Sequence, residues 1–135
     1  MLQSQPEFFV DHCLGTKRFP EYLRNKGFEV KTMMGVFSRS DVQDVEWIEA
    51  VGGNNWIVFT KDAAIRRRAA ERDAVIKHTL RMICLVHQQL SFAESVTVIE
   101  RNWSRLEKWF SKPGPWIVAV RKSGIEEVRL PTVGV

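Results

Sequence analysis

The residues best equipped for chemistry in this chain are carboxylates at three places. Asp11 closes the apolar run Phe8-Phe9-Val10, Asp62 follows Trp56-Ile57-Val58-Phe59-Thr60-Lys61, and Asp44 with Glu46 opens a helical stretch between them. Carboxylates drawn together repel one another. A hard divalent cation such as Mg²⁺ or Mn²⁺ relieves that repulsion, and ligands that are all oxygen select such ions over softer metals. A single Asp at a strand end has a plainer use, because it often caps the helix or turn that follows. Two strand-end Asp residues together with an acidic helix start favour a shared ion, since independent caps need not converge on one rim. Asp44 and Glu46 are two residues apart and face different sides of a helix, so one of them is expected to be solvated. Asp44 lies one turn before Trp47 and Ile48, at the edge of the apolar stripe, and is slightly favoured. The metal ligands expected are therefore Asp11, Asp44 and Asp62, with Glu46 kept as a catalytic candidate.

For these acids to meet, the apolar runs must be neighbouring parallel strands whose carboxyl ends share one rim, the place where open α/β sheets bind ligands. Phe8-Phe9-Val10 and Trp56-Ile57-Val58-Phe59 are short, continuous and separated by helical patterns, as strands buried on both faces should be. Pro20 suits the first turn of a helix that Gly27 ends, and Phe28 to Met33 is expected to be the next strand. Ser38-Arg39-Ser40-Asp41 offers caps for a helix to about Val51, with Val45 and Ile48, and less firmly Trp47 and Val51, on its buried side, and Gly52-Gly53-Asn54-Asn55 stops it. A strand over Trp56 to Thr60, a helix over Ala63 to His78 and a strand over Arg81 to Val86 follow. Ser91-Phe92-Ala93-Glu94 is a capping box, and Phe92, Val96, Ile99, Trp103, Leu106 and Phe110 mark one face of a single long helix. Pro113-Gly114-Pro115 breaks it before a hairpin of Trp116 to Val120 with Ile125 to Leu130. The expected fold is α/β, three layers with a mostly parallel central sheet and an antiparallel hairpin at its C-terminal edge. One domain over 1–135 is expected, its core about 7–130, with a loose tail.

Cations flank the acids. Lys17 and Arg18 follow Asp11, Lys61 precedes Asp62, and Arg66-Arg67-Arg68 comes after it. Arg66, one helical turn past Asp62, is the better candidate for holding a phosphate, whereas Arg67 and Arg68 suit a solvated face equally well. The formal charge of +4 favours an anionic partner without naming it. His12, His78 and His87 lack metal-ligand spacing, and Cys13 and Cys84 indicate neither a disulfide framework nor zinc. Serine-nucleophile elbows and Gly-rich phosphate loops are absent: Gly52-Gly53 precedes a strand where such a loop would follow one. Trp103, Trp109 and Trp116 are read as packing residues. No apolar stretch approaches the roughly 20 residues of a membrane span, and the first residues lack a signal-peptide pattern, so a cytoplasmic protein is expected.

Phe8-Phe-Val-Asp11, Asp44-Val-Glu46-Trp47 and Ile57-Val-Phe-Thr-Lys-Asp62 with Ala64-Ile-Arg66, in that order and spacing, resemble the PIN-domain nucleases, above all the VapC-type toxins of bacterial toxin and antitoxin pairs. The resemblance runs from about Glu7 to Leu130. It implies a single-stranded RNA endonuclease in which Asp11, Asp44 or Glu46, and Asp62 hold Mg²⁺ or Mn²⁺, while Lys17, Arg18, Lys61 and Arg66 position the RNA backbone. The expected partners are an RNA substrate, a cognate antitoxin and a second copy of the chain. The family often carries a fourth acid near the end of its fourth strand, where this chain reads Val86-His87-Gln88-Gln89 and has no acid before Glu94. That departure supports a rival reading, a non-catalytic RNA-binding or partner-binding module whose acids serve as caps. A phosphoacceptor receiver-like domain ranks last, because it wants paired acids at the first strand and only Asp11 stands at that strand end.

Overall fold

The computed structural model describes residues 5–39, 41–61, 68–86 and 89–130. Six strands form one sheet in the order β2-β1-β3-β4-β5-β6: β1 (Phe8–Val10), β2 (Val30–Thr32), β3 (Ile57–Thr60), β4 (Arg81–Leu85), β5 (Trp116–Arg121) and β6 (Gly124–Val128). All neighbours pair in parallel except β5 and β6, which make an antiparallel hairpin. The α/β architecture with a C-terminal hairpin is as the sequence indicates.

The helices are α1 (Arg18–Asn25), α2 (Met33–Phe37), α3 (Asp44–Gly53), α4 (Ala69–Lys77), α5 (Phe92–Arg101) and α6 (Trp103–Phe110). They cover both faces, because alternate residues of each strand point to opposite sides. Phe8, Val10, Ile57 and Phe59 meet Phe19 and Leu23 of α1, Val98 and Ile99 of α5 and Leu106 of α6. Phe9 and Val58 meet Met33 of α2, Trp47, Ile48 and Val51 of α3, and Ala74 and Val75 of α4. Phe9 lies between Trp47 and Trp56, with ring centroids 5.9 and 6.2 Å away. Burying a side chain of this size contributes about 1.5–3 kcal/mol. Among the described residues no helix is long and apolar enough to cross a membrane.

Several local expectations change. The second strand is only Val30–Thr32, and Met33 opens the short helix α2, whose first turn is capped by Thr32 Oγ1 accepting from the Gly35 N–H at 3.1 Å. α3 begins at Asp44 with Gln43 as its cap, not at the 38–41 cluster, where Arg39 and Asp41 pair with each other instead. Val45, expected in the core, is exposed: with the helix starting at Asp44, the inward stripe is Trp47, Ile48 and Val51. The long helix after Ser91 is two helices. Asn102 is fully buried at the junction, where its Nδ2 donates to Val98 O at 2.8 Å, a carbonyl that a continuous helix would satisfy with a backbone N–H, and to Arg121 O of β5 at 3.4 Å. The capping box is present as expected, with Ser91 Oγ accepting from Glu94 N–H and Glu94 accepting from Ser91 N–H.

Candidate metal centre

Asp11 is the first residue past β1. Its N–H donates to Phe59 O at 2.9 Å, which continues the register Val10↔Phe59 and sets Asp11 beside Thr60. By alternation both side chains project to the side covered by α2, α3 and α4. Asp11 is buried, 7% exposed, and its Oδ2 accepts from Thr60 Oγ1 at 2.8 Å and from the Cys13 thiol at 3.4 Å. Both hydrogen bonds go to the same oxygen, which leaves Oδ1 out of them. The donors are neutral, so they orient the carboxylate without an ion pair to it among the described residues.

Cys13 belongs to the 3-10 turn His12–Leu14. Its sulfur also accepts from the Lys61 N–H at 3.4 Å and lies 3.5 Å from Thr60 Oγ1. Burial, with the Asp11 carboxylate adding to it, pushes the Cys13 thiol up to about 11, so it remains a proton donor to Asp11 at neutral pH.

Asp44 starts α3. Because α3 runs toward the amino end of β3, its first residue stands at the carboxyl rim, on the side to which Asp11 and Thr60 project. Asp44 is half-buried, its Oδ1 accepts from Trp47 Nε1 at 2.9 Å, and its Oδ2 pairs with Arg68 at 3.3 Å. Glu46 is exposed and pairs with Arg39, in keeping with the expectation that one acid of the pair is solvated. Arg68, the cap residue of α4, also reaches Glu71 at 3.3 Å. It is therefore not simply part of a solvated face: it ties the start of α4 to the acid at the start of α3. Asp62 and Arg66 lie outside the described residues. Among the described residues no three His, Cys, Asp or Glu side chains are grouped closely enough to hold a metal.

Of the other cations, Lys17 is exposed just before α1, and Lys61 is half-buried. Arg18 sits over the Phe92 ring, its guanidinium carbon 4.2 Å from the centroid. Glu94, the first acid after the strand-four region, is committed to the α5 capping box. Its carboxyl is held low by the Ser91 N–H. Thr60 and Cys13 were not singled out from sequence. Thr60 was legible in principle, since strands that end together set Asp11 opposite it, but the register that fixes the pairing is tertiary.

The model of a family described as PIN like domain matches residues 6–87. A protein of Mycobacterium tuberculosis named "Putative ribonuclease VapC45" is 30% identical over 131 residues, which cover 95% of each chain. No solved structure gives a significant match. The matched segment holds Asp11, Asp44, Thr60 and Asp62 together, and the chain belongs to the PIN-like domain family.

Proposed function

We propose that this chain is a metal-dependent endoribonuclease and the toxin of a toxin–antitoxin pair. The observation that carries the reading is Asp11: a buried carboxylate at the carboxyl end of β1, oriented through one oxygen by neutral donors, on the side of the sheet where α3 presents Asp44. The naming of the mycobacterial relative as a ribonuclease supports it. The donor set suits a hard cation, Mg²⁺ or Mn²⁺, because Asp11, Asp44 and Asp62 all offer carboxylate oxygen. When bound, such an ion neutralises phosphate charge and makes an attacking water more acidic.

The chain's own residues do the rest. Thr60 and Cys13 orient Asp11 through Oδ2, and Trp47 orients Asp44 through Oδ1. A rim acid that is not a ligand would accept the proton released by the attacking water; for Glu46 to serve, it must first leave Arg39. Lys17, Arg18, Lys61 and Arg66 hold RNA by its backbone, which gives affinity with little base discrimination. Specificity then comes from RNA shape and unpaired bases. On this reading the partners are an RNA, a cognate antitoxin and a second copy of the chain in the cytoplasm.

A second reading has its own support. Arg68 pairs with Asp44 and Arg39 pairs with Glu46, so two of the acids are already compensated by arginine, as in a non-catalytic binding module. Incubation of the purified chain with structured and single-stranded RNAs in Mg²⁺, Mn²⁺ or EDTA separates the two. The nuclease reading expects internal cleavage in metal, none in EDTA, and a loss of at least about a hundredfold in Asp11→Asn with the melting temperature in EDTA kept. RNA bound but uncut under every condition, or equal cutting by Asp11→Asn, favours the module.

A further inference from the structure

The ladder between β1 and β3 ends at Val10 and Phe59, with the Asp11 N–H donating to Phe59 O just past it. The next backbone donor along β3, the Lys61 N–H, goes to a side chain of the opposite loop, the Cys13 sulfur at 3.4 Å. The same sulfur donates to Asp11 Oδ2 at 3.4 Å. Cys13 therefore stands between the loop that carries Asp11 and the residue that precedes Asp62 in the chain.

We propose that Cys13 is a positioning residue of the metal centre: by bonding Asp11 Oδ2 and the Lys61 N–H at once, it ties the loop that carries Asp11 to the end of β3 and holds the carboxylate in one orientation for the cation. The inference rests on the metal reading of the rim. Thr60 alone orients Asp11 within β1 and β3, but it does not hold the Lys61 backbone. Without the sulfur, the Lys61 N–H loses its partner on the Asp11 loop, and Thr60 alone is left to orient the carboxylate. Groups that orient metal ligands from behind typically change metal affinity by about ten- to a hundredfold when removed.

Four full-length chains test this: wild type, Cys13→Ser, Cys13→Ala and Cys13→Val. Mn²⁺ affinity is read by the free-ion electron paramagnetic resonance signal, and the melting temperature is read in EDTA. Serine keeps a donor and an acceptor, whereas valine restores volume with neither. The expected result is a loss of about tenfold in Mn²⁺ affinity for both Cys13→Ala and Cys13→Val, with Cys13→Ser within about threefold of wild type. RNA cleavage by Cys13→Ala should fall at limiting Mn²⁺ and recover when the ion is raised. Rescue by valine and not by serine would make Cys13 a packing residue and overturn the inference, as would equal Mn²⁺ affinity in all four chains. Failure of wild type itself to bind Mn²⁺ would overturn the metal reading and this inference with it, an outcome told apart by the wild-type arm alone.

Discussion

The two ends of the sheet use polar groups in opposite ways. At the amino end, Arg81 opens β4 with its side chain buried, and its guanidinium donates to Phe110 O at the close of α6, at 2.7 Å, and to Asn55 O just past α3. No acid pairs with it among the described residues, and burial lowers its pKa, so its charge is set against the carbonyl-rich ends of two helices. Trp56 Nε1 donates to Glu7 and Trp116 Nε1 to Lys112 O at the same end. There the polar groups close helix ends and anchor strands. At the carboxyl end the order is reversed: Asp11 is held by a hydroxyl and a thiol, which fix its direction and bring no opposite charge among the described residues. A cation clamped by carbonyls makes the fold stable, whereas an anion held by neutral donors stays available to a ligand.

The largest effect that this contrast predicts on stability comes from the amino end. Arg81→Met keeps much of the buried stem but leaves Phe110 O and Asn55 O without their charged donor, and should cost about 2–4 kcal/mol in urea unfolding. Mn²⁺ affinity of the folded protein should be unchanged. A shift in Mn²⁺ affinity with stability intact would erase the distinction between the two ends.

A smaller effect is expected at the rim. On the metal reading Arg68 would compete with a cation for Asp44, but it is half-exposed, and such pairs contribute at most about 1 kcal/mol. Arg68→Ala should therefore leave urea stability within about 1 kcal/mol and tighten Mn²⁺ binding by up to about fivefold in calorimetric titration. Weaker Mn²⁺ binding in Arg68→Ala would show that the arginine organises the acid instead of competing for it.

Much of the fold was legible because its signals are local. Phe8-Phe9-Val10 and Ile57 to Phe59 are too short and too continuously apolar to read otherwise, and Ser91 with Glu94 carries its cap within four residues. The local misreadings have tertiary causes. Met33-Met34-Gly35-Val36-Phe37 begins as an extension of a strand, and only the Thr32 cap and the packing of Met33 turn it into a helix. The break at Asn102 depends on Arg121 O, nineteen residues away. Among the candidate residues, the positions of Asp11 past a strand end and Asp44 at a helix start were legible, but Thr60 and Cys13 acquire their contacts from strand register, and Arg68 from the meeting of α3 with α4.

The most direct measurement of the central claim, that the carboxyl rim is a cation site, is Mn²⁺ uptake by wild type and Asp11→Asn, followed by electron paramagnetic resonance at equal protein concentration. Asparagine keeps the shape of Asp11 and an oxygen for Thr60 and Cys13, so both proteins should melt at similar temperatures in EDTA. Wild type should deplete the free Mn²⁺ signal to saturation, with Asp11→Asn binding at least about tenfold more weakly. Equal Mn²⁺ uptake by the two proteins, or none by either, would contradict the account.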